Sequence, residues 1–181
     1  MTELTTGDDL ERLARLFYAR HPFVSILTYE EAYALGLVRE LARRFNRPLR
    51  VWSVTTGLYR EGDESGIVHD TEHPAAALYY LAHQEPEVIG VTLDLAEHLK
   101  EPRTLRALRD LVGTIRRYQG MLVMIDSRDD LPEVVSVEAS RFEPSYPDEQ
   151  ELLQIVTQTL RTFHQAHPIK IEISRRDLDV I

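Results

Sequence analysis

The chain has 181 residues, 43% of them hydrophobic and 28% charged, with a formal net charge of −9. That length suffices for one domain with a sizeable core, and the charge argues against a nucleic-acid surface, which needs a net basic face. The sequence has no cysteine, which removes disulfides, thiolate zinc sites and thiol nucleophiles.

No apolar stretch approaches the ~18–20 residues of a membrane span, and the polar start MTELTTGDDLE is no signal peptide. A cytoplasmic protein with no membrane partner is the default expectation. Lys100 and Lys170 are the only lysines, so nearly all cationic side chains are arginines. Their planar forks suit ion-pair networks and subunit interfaces.

Asp8 to His21 is predicted helical, with Leu10, Leu13, Leu16 and Phe17 on one face, and Pro22 stops it. Phe23 to Leu27 is a short apolar strand, and Glu30 to Phe45 is a long helix ended by Asn46-Arg47-Pro48. Leu49 to Val54 is a second strand, followed by a predicted loop, Thr55 to Glu72, holding Gly57, Gly62 and Gly66. Pro74 to His83 is a short helix with proline in its first turn.

Val88 to Leu93 is a third strand, Pro102 to Tyr118 a helix, Met121 to Ile125 a fourth strand, and Val134 to Val137 a fifth. Asp148 to Gln165 reads as a further helix, and Ile169, Ile171 and Ile173 alternate as in a half-exposed strand. Ser174 and Asp177 then open a helix whose apolar stripe (Leu178, Val180, Ile181) is expected to continue in a longer protein. Strands alternating with helices predict a three-layer, doubly wound α/β domain with a mainly parallel five-stranded sheet. It would span residues 1–146. The turn Glu143 to Pro147 would hinge it to a small lid-like C-terminal piece, residues 147–181.

The junction after the first strand, Thr28-Tyr29-Glu30-Glu31, is where a nucleotide-binding fold carries its phosphate loop. It has neither the glycines that let a backbone approach phosphate nor the lysine that reaches it. Thr28 and Glu31 have the spacing of a capping box, which would occupy the helix's free N–H groups. Glu30 and Glu31 also place negative charge where an anion would sit. At ~4 Å and an effective dielectric near 20, each repulsion is on the order of several kcal/mol for a multiply charged phosphate. The expectation is a P-loop-like fold without a P-loop.

The order of these elements, with the third strand running into Asp94 and the fourth ending Ile125-Asp126-Ser127-Arg128, resembles an AAA+ ATPase core. So does the passage from Leu131-Pro132-Glu133 to Pro147-Asp148-Glu149. More narrowly, Tyr18-Ala19-Arg20-His21-Pro22, Thr28 to Glu31, and Val51-Trp52-Ser53-Val54-Thr55-Thr56-Gly57-Leu58 are similar to AAA-family ATPases of the chloroplast open-reading-frame type. In these, a degenerate AAA-like domain precedes an active ATPase module. The resemblance spans roughly Leu13 to Ile181. It departs from an active module in having no Walker A motif, and in following Asp94 with Leu95-Ala96-Glu97 rather than directly with a glutamate.

The resemblance implies a non-catalytic N-terminal domain acting in subunit assembly or client recognition. Its partners would be other subunits of the same ATPase and a protein client, with ATP and Mg confined to a downstream module. The alternative is a self-contained ligand-binding or hydrolytic α/β protein using Asp94 and Asp126, which end strands where open sheets place their crevice. Glu97, His98 and Arg128 could join them as an acid/base set. His69, Asp70 and His73, within His69-Asp70-Thr71-Glu72-His73, are weaker metal candidates; in a loop they read first as solvated residues. Trp52, between Val51 and Val54 on a strand, reads as packing.

Overall fold

The computed structural model describes residues 4–63 and 66–146 and, beyond them, residues 152, 153, 156, 157, 159–161 and 164. The chain divides into two compact units, Asp9–Pro144 and, separately, Met1–Asp8 with Ser145–Ile181. In the second unit the described residues from 152 to 164 are helical. The strand expected at Ile169–Ile173 and the helix expected from Ser174 lie outside the described residues.

The first unit is built on a seven-stranded sheet. In chain order its elements are α1 (Leu4–Tyr18, which begins in the other unit), β1 (Phe23–Leu27), α2 (Glu31–Arg44), β2 (Leu49–Ser53), β3 (Gly57–Arg60), β4 (Ile67–Val68) and α3 (Pro74–Gln84). There follow β5 (Ile89–Leu93), a 3-10 turn (Ala96–Lys100), α4 (Pro102–Ile115), β6 (Met121–Asp126), α5 (Glu133–Ser136) and β7 (Ser140–Phe142). The strand order is β4-β3-β2-β5-β6-β1-β7. Five strands (β2, β5, β6, β1 and β7) are parallel, and β3 and β4 extend one edge antiparallel.

Strand β1 lies between β6 and β7, so the chain leaves it in one direction to reach β2 and later returns past it to β7. That reversal is the topological switch point, beyond whose carboxyl end such sheets place a ligand crevice. Helices cover both faces, which explains why every residue of β6 is buried. On one side Leu13, Leu37 and Leu41 pack over Val24, Val51, Val91 and Val123. On the other, Leu78, Leu81, Leu108 and Leu111 pack over Trp52, Leu122 and Met124.

Three expectations need correction. Thr55 to Glu72 is not a loop: it contains β3 and β4, paired Leu58↔Val68 and Tyr59↔Ile67. Gly57 and Gly62, both at positive φ, turn the chain into and out of β3. The run Val134 to Val137 is not a strand. Pro132 sits at the N-cap of α5, Val135 alone is buried, and Val137 is 81% exposed, so β-branched propensity yields to a helical turn with one anchor. The fifth parallel strand is instead Ser140–Phe142, registered Val24↔Ser140 and Ile26↔Phe142. The third correction is the capping of α2, taken up with the site.

Trp52 explains the antiparallel extension. Its ring is fully buried, and its Nε1 donates to the Thr71 carbonyl oxygen at 2.8 Å. Thr71 Oγ1 in turn accepts from the Leu58 amide at 2.8 Å and donates to the Val68 carbonyl. One threonine thus ties β2, β3 and β4 to the entrance of α3. Gly57 permits it: its φ is +74°, and a Cβ there would stand 2.9 Å from Thr71 Oγ1.

Gly62 has a similar φ of +80°, but a Cβ there would have nothing within 4 Å. Gly62→Ala therefore isolates the conformational cost, about 1 kcal/mol. Gly57→Ala adds a clash in a packed site and is expected to cost at least ~1 kcal/mol more by denaturant unfolding. Equal losses for the two variants would show that the Thr71 contact is not the constraint.

Candidate functional site

The carboxyl ends of β5, β6 and β1 lie side by side, through the register Leu93↔Ile125 and Leu27↔Asp126. Two backbone bonds stitch the rim: Asp94 N donates to the Ile125 oxygen at 3.0 Å, and Thr28 N to the Asp126 oxygen at 2.9 Å. Asp94 has a φ of +54°, a left-handed conformation that non-glycine residues adopt at some cost and that aspartate tolerates better than most. The reversal turns the chain directly into the 3-10 turn, where Leu95, Ala96 and Leu99 are buried.

Asp126 holds that turn in place. Its Oδ1 accepts from the Ala96 amide at 2.8 Å, and the residue is only 5% exposed. Its Oδ2 has no hydrogen-bond partner among the described residues, and neither has Thr92 Oγ1. Burial pushes the Asp126 carboxyl up to about 6. The Ala96 bond opposes the shift, and the charges of Asp94 and Glu97 add to it.

The sequence candidates thus share one rim but form no open site. Arg128 pairs with Glu97 at 3.1 Å, both exposed, and His98 sets its ring edge-on to Trp52 with centroids 5.8 Å apart. The cavity that Asp126 lines with Ser25, Leu131 and Phe142 measures about 20 Å3. It matches a single water in size, and Asp94, exposed on the same rim, is not among its lining residues.

At the β1–α2 tip the expected capping box is absent. Helix α2 begins at Glu31 with Glu30 as N-cap and no side-chain cap. Thr28 Oγ1 accepts instead from the Glu30 amide at 3.0 Å, a turn two residues long that precedes the helix. A box would have required the helix to start at Tyr29, which is 89% exposed. The first-turn amides are therefore not occupied as expected. What stands against phosphate here is composition: exposed Glu30 and Glu31, and no glycine or lysine.

The weaker metal candidates are drawn into other roles. His73 Nδ1 accepts from the Ala75 amide at 3.2 Å and caps α3, while its Nε2 lies 3.3 Å from Glu101 Oε2. His69 and Asp70 line a broad groove of about 750 Å3 beside α3 and α4. Among the described residues, no group of three His, Asp or Glu side chains is placed to hold a metal ion. No described helix is long and apolar enough to cross a membrane.

The sequence profile of the "SpoVK-like AAA ATPase, N-terminal domain" matches residues 9–143, close to the bounds of the sheet unit. No curated protein sequence matches the chain. Among solved structures the chain is similar to PCH-2 of C. elegans, with a TM-score of 0.56, 12% identity, and coverage of 94% of this chain and 51% of that one. It is also similar to a chain in the HORMA:CdnC:Trip13 complex of E. coli MS115-1, with a TM-score of 0.54, 11% identity, and coverage of 96% and 71%. At these identities the likeness is one of fold. The chain spans about half the length of the PCH-2 chain.

The pH dependence of stability tests the structural role of Asp126. Its folded-state pKa of about 6 lies above the ordinary 3.8, so between these values the folded protein keeps a proton that the unfolded chain has lost. Stability from this group is present at low pH and is lost as pH rises through 6. Asp126→Asn keeps an acceptor for Ala96 without the charge. It is expected to stabilise the chain by about 3 kcal/mol at pH 8 and by only about 0.5 kcal/mol at pH 4. A destabilisation at pH 8 would contradict the assignment.

Proposed function

The chain belongs to the SpoVK-like AAA ATPase N-terminal domain family, and from that membership we propose that it is a recognition domain without catalytic activity. It presents a protein partner to an ATPase module encoded downstream, or helps assemble that module's subunits. The observation that carries this reading is the β1–α2 tip. The sheet has its switch point where a nucleotide would bind, yet Glu30 and Glu31 occupy the tip and a 3-10 turn anchored by buried Ala96 and Leu99 lies against the neighbouring crevice. Within the family, the Val51–Leu58 string supports the chloroplast open-reading-frame type. ATP and Mg then belong to the downstream module.

The similarity to a chain of a complex that holds Trip13 together with a HORMA protein supports protein recognition as the task. The rival reading, a small hydrolase working at Asp94 and Asp126, gains some support from the raised pKa of Asp126, but the cavity that Asp126 lines is about 20 Å3 and Asp94 is not part of it. Removing residues 1–146 from the intact ATPase tests the reading. The shortened protein is expected to retain basal ATP hydrolysis and to lose crosslinks to its protein partner. Retained partner crosslinks, or hydrolysis by the 181-residue chain alone that Asp126→Asn abolishes, would overturn it.

A further inference from the structure

The opposite end of the sheet, at the amino termini of the parallel strands, carries a second concavity of about 280 Å3. Helices α1, α2 and α4 all end around it. Its walls include Phe17, Tyr18, Phe45 and Ile115, and its rim includes Arg20, Arg47 and Arg116. Phe17 and Phe45 have ring centroids 4.4 Å apart, and Tyr18 meets Phe45 edge-on at 4.9 Å. Three arginines and no carboxylate among the described lining residues stand out in a chain of net charge −9.

Basic residues at helix C-termini have an ordinary use, offsetting the partial negative charge of the last carbonyls. Here backbone amides already do that work. His21 N donates to the Leu16 oxygen and Arg20 N to the Phe17 oxygen; Arg47 N donates to the Ala42 oxygen, and Arg116 N to the Val112 oxygen. Arg20 occupies the left-handed position that follows a helix, with a φ of +59°, where glycine or asparagine is favoured. Asn46 takes the equivalent place after α2 with a φ of +49°.

Among the described residues, the Arg20 side chain forms no hydrogen bond or ion pair. Arg116 has only Glu138, 3.7 Å away and shared with Arg109. Arg47 pairs with an exposed Glu87 that lies outside the concavity. The fold itself gives no reason for an arginine at a backbone position that disfavours it, without a partner of its own there.

We propose that this concavity docks an acidic peptide segment of a protein partner, with an aromatic or aliphatic residue seated on Phe17, Tyr18 and Phe45 and flanking carboxylates on Arg20 and Arg116. Arginine and aromatic residues clustered around a small pocket are the composition of an interface hot spot. Carboxylate forks match guanidinium geometry. The assignment rests on the recognition role proposed above and names the surface and chemistry through which that role is carried out.

The test uses the 181-residue chain and unlabelled acetyl-Glu-Glu-Phe-Glu-Glu peptide, followed by amide chemical shifts. Shifts are expected at Phe17, Arg20, Phe45, Gln119 and Gly120, weakening with salt. Arg20→Gly relieves the left-handed strain, so its thermal midpoint should not fall, while its affinity for the peptide drops roughly fivefold. Four results would each overturn the proposal: no shifts or shifts elsewhere, equal binding by acetyl-Lys-Lys-Phe-Lys-Lys, a lowered midpoint in Arg20→Gly, or equal shifts with inorganic phosphate or AMP alone. If removing residues 1–146 from the intact ATPase abolishes partner crosslinks while the peptide ignores Arg20, the pocket is refuted and the recognition role stands.

Discussion

The bond from the Ala96 amide to Asp126 Oδ1 governs what the carboxyl end of this sheet can be. It draws the 3-10 turn across the tips of β5 and β6 and buries Leu95, Ala96 and Leu99, at the place where an open α/β sheet would admit a ligand. The carboxylate loses in solvation what it gains in position: one oxygen is satisfied, the other is not, and its affinity for a proton rises. A buried acid of that kind suggests catalysis when seen alone. With its neighbours in place it is a fastening, because Glu97 is drawn outward to Arg128 and the remaining cavity has the size of a water.

The other end of the sheet differs in chemistry. Where the carboxyl tips carry Glu30, Glu31 and Asp94, with Arg128 and Arg141 paired to Glu97 and Asp129, the amino end gathers Arg20, Arg47 and Arg116 around an aromatic floor. The two ends of one parallel sheet therefore suit different partners. In a nucleotide-binding domain the carboxyl end would hold the anion. In this chain the constellation that attracts negative charge is at the opposite pole, on the C-terminal turns of three helices.

Much of this is legible in the sequence. The alternation of apolar runs and amphipathic helices locates four of the five parallel strands within a residue or two, and the missing glycine and lysine after Leu27 are plain. Trp52 is legible as packing but not as a donor, since Thr71 is nineteen residues away and nothing local marks it as the acceptor. The capping box does not form because spacing alone cannot fix where a helix starts: Thr28 has a nearer amide, that of Glu30. Val134 to Val137 imitates a strand because β-branched propensity is weak against one buried contact, whereas Ser140–Phe142 is only three residues long and pairs by long-range register. The arginine concavity is invisible to any motif, as its residues come from three helix ends far apart in the chain. Only the positive φ of Arg20, at the end of α1, singles it out.

In the function proposed for this chain, a sheet with the switch point of a nucleotide-binding fold is closed at its carboxyl end and serves recognition instead. Calorimetric titration of the 181-residue chain with Mg-ATP measures that closure most directly. Heats no larger than dilution are expected, for ATP and ADP alike. Saturable binding with a dissociation constant in the low micromolar range would contradict it.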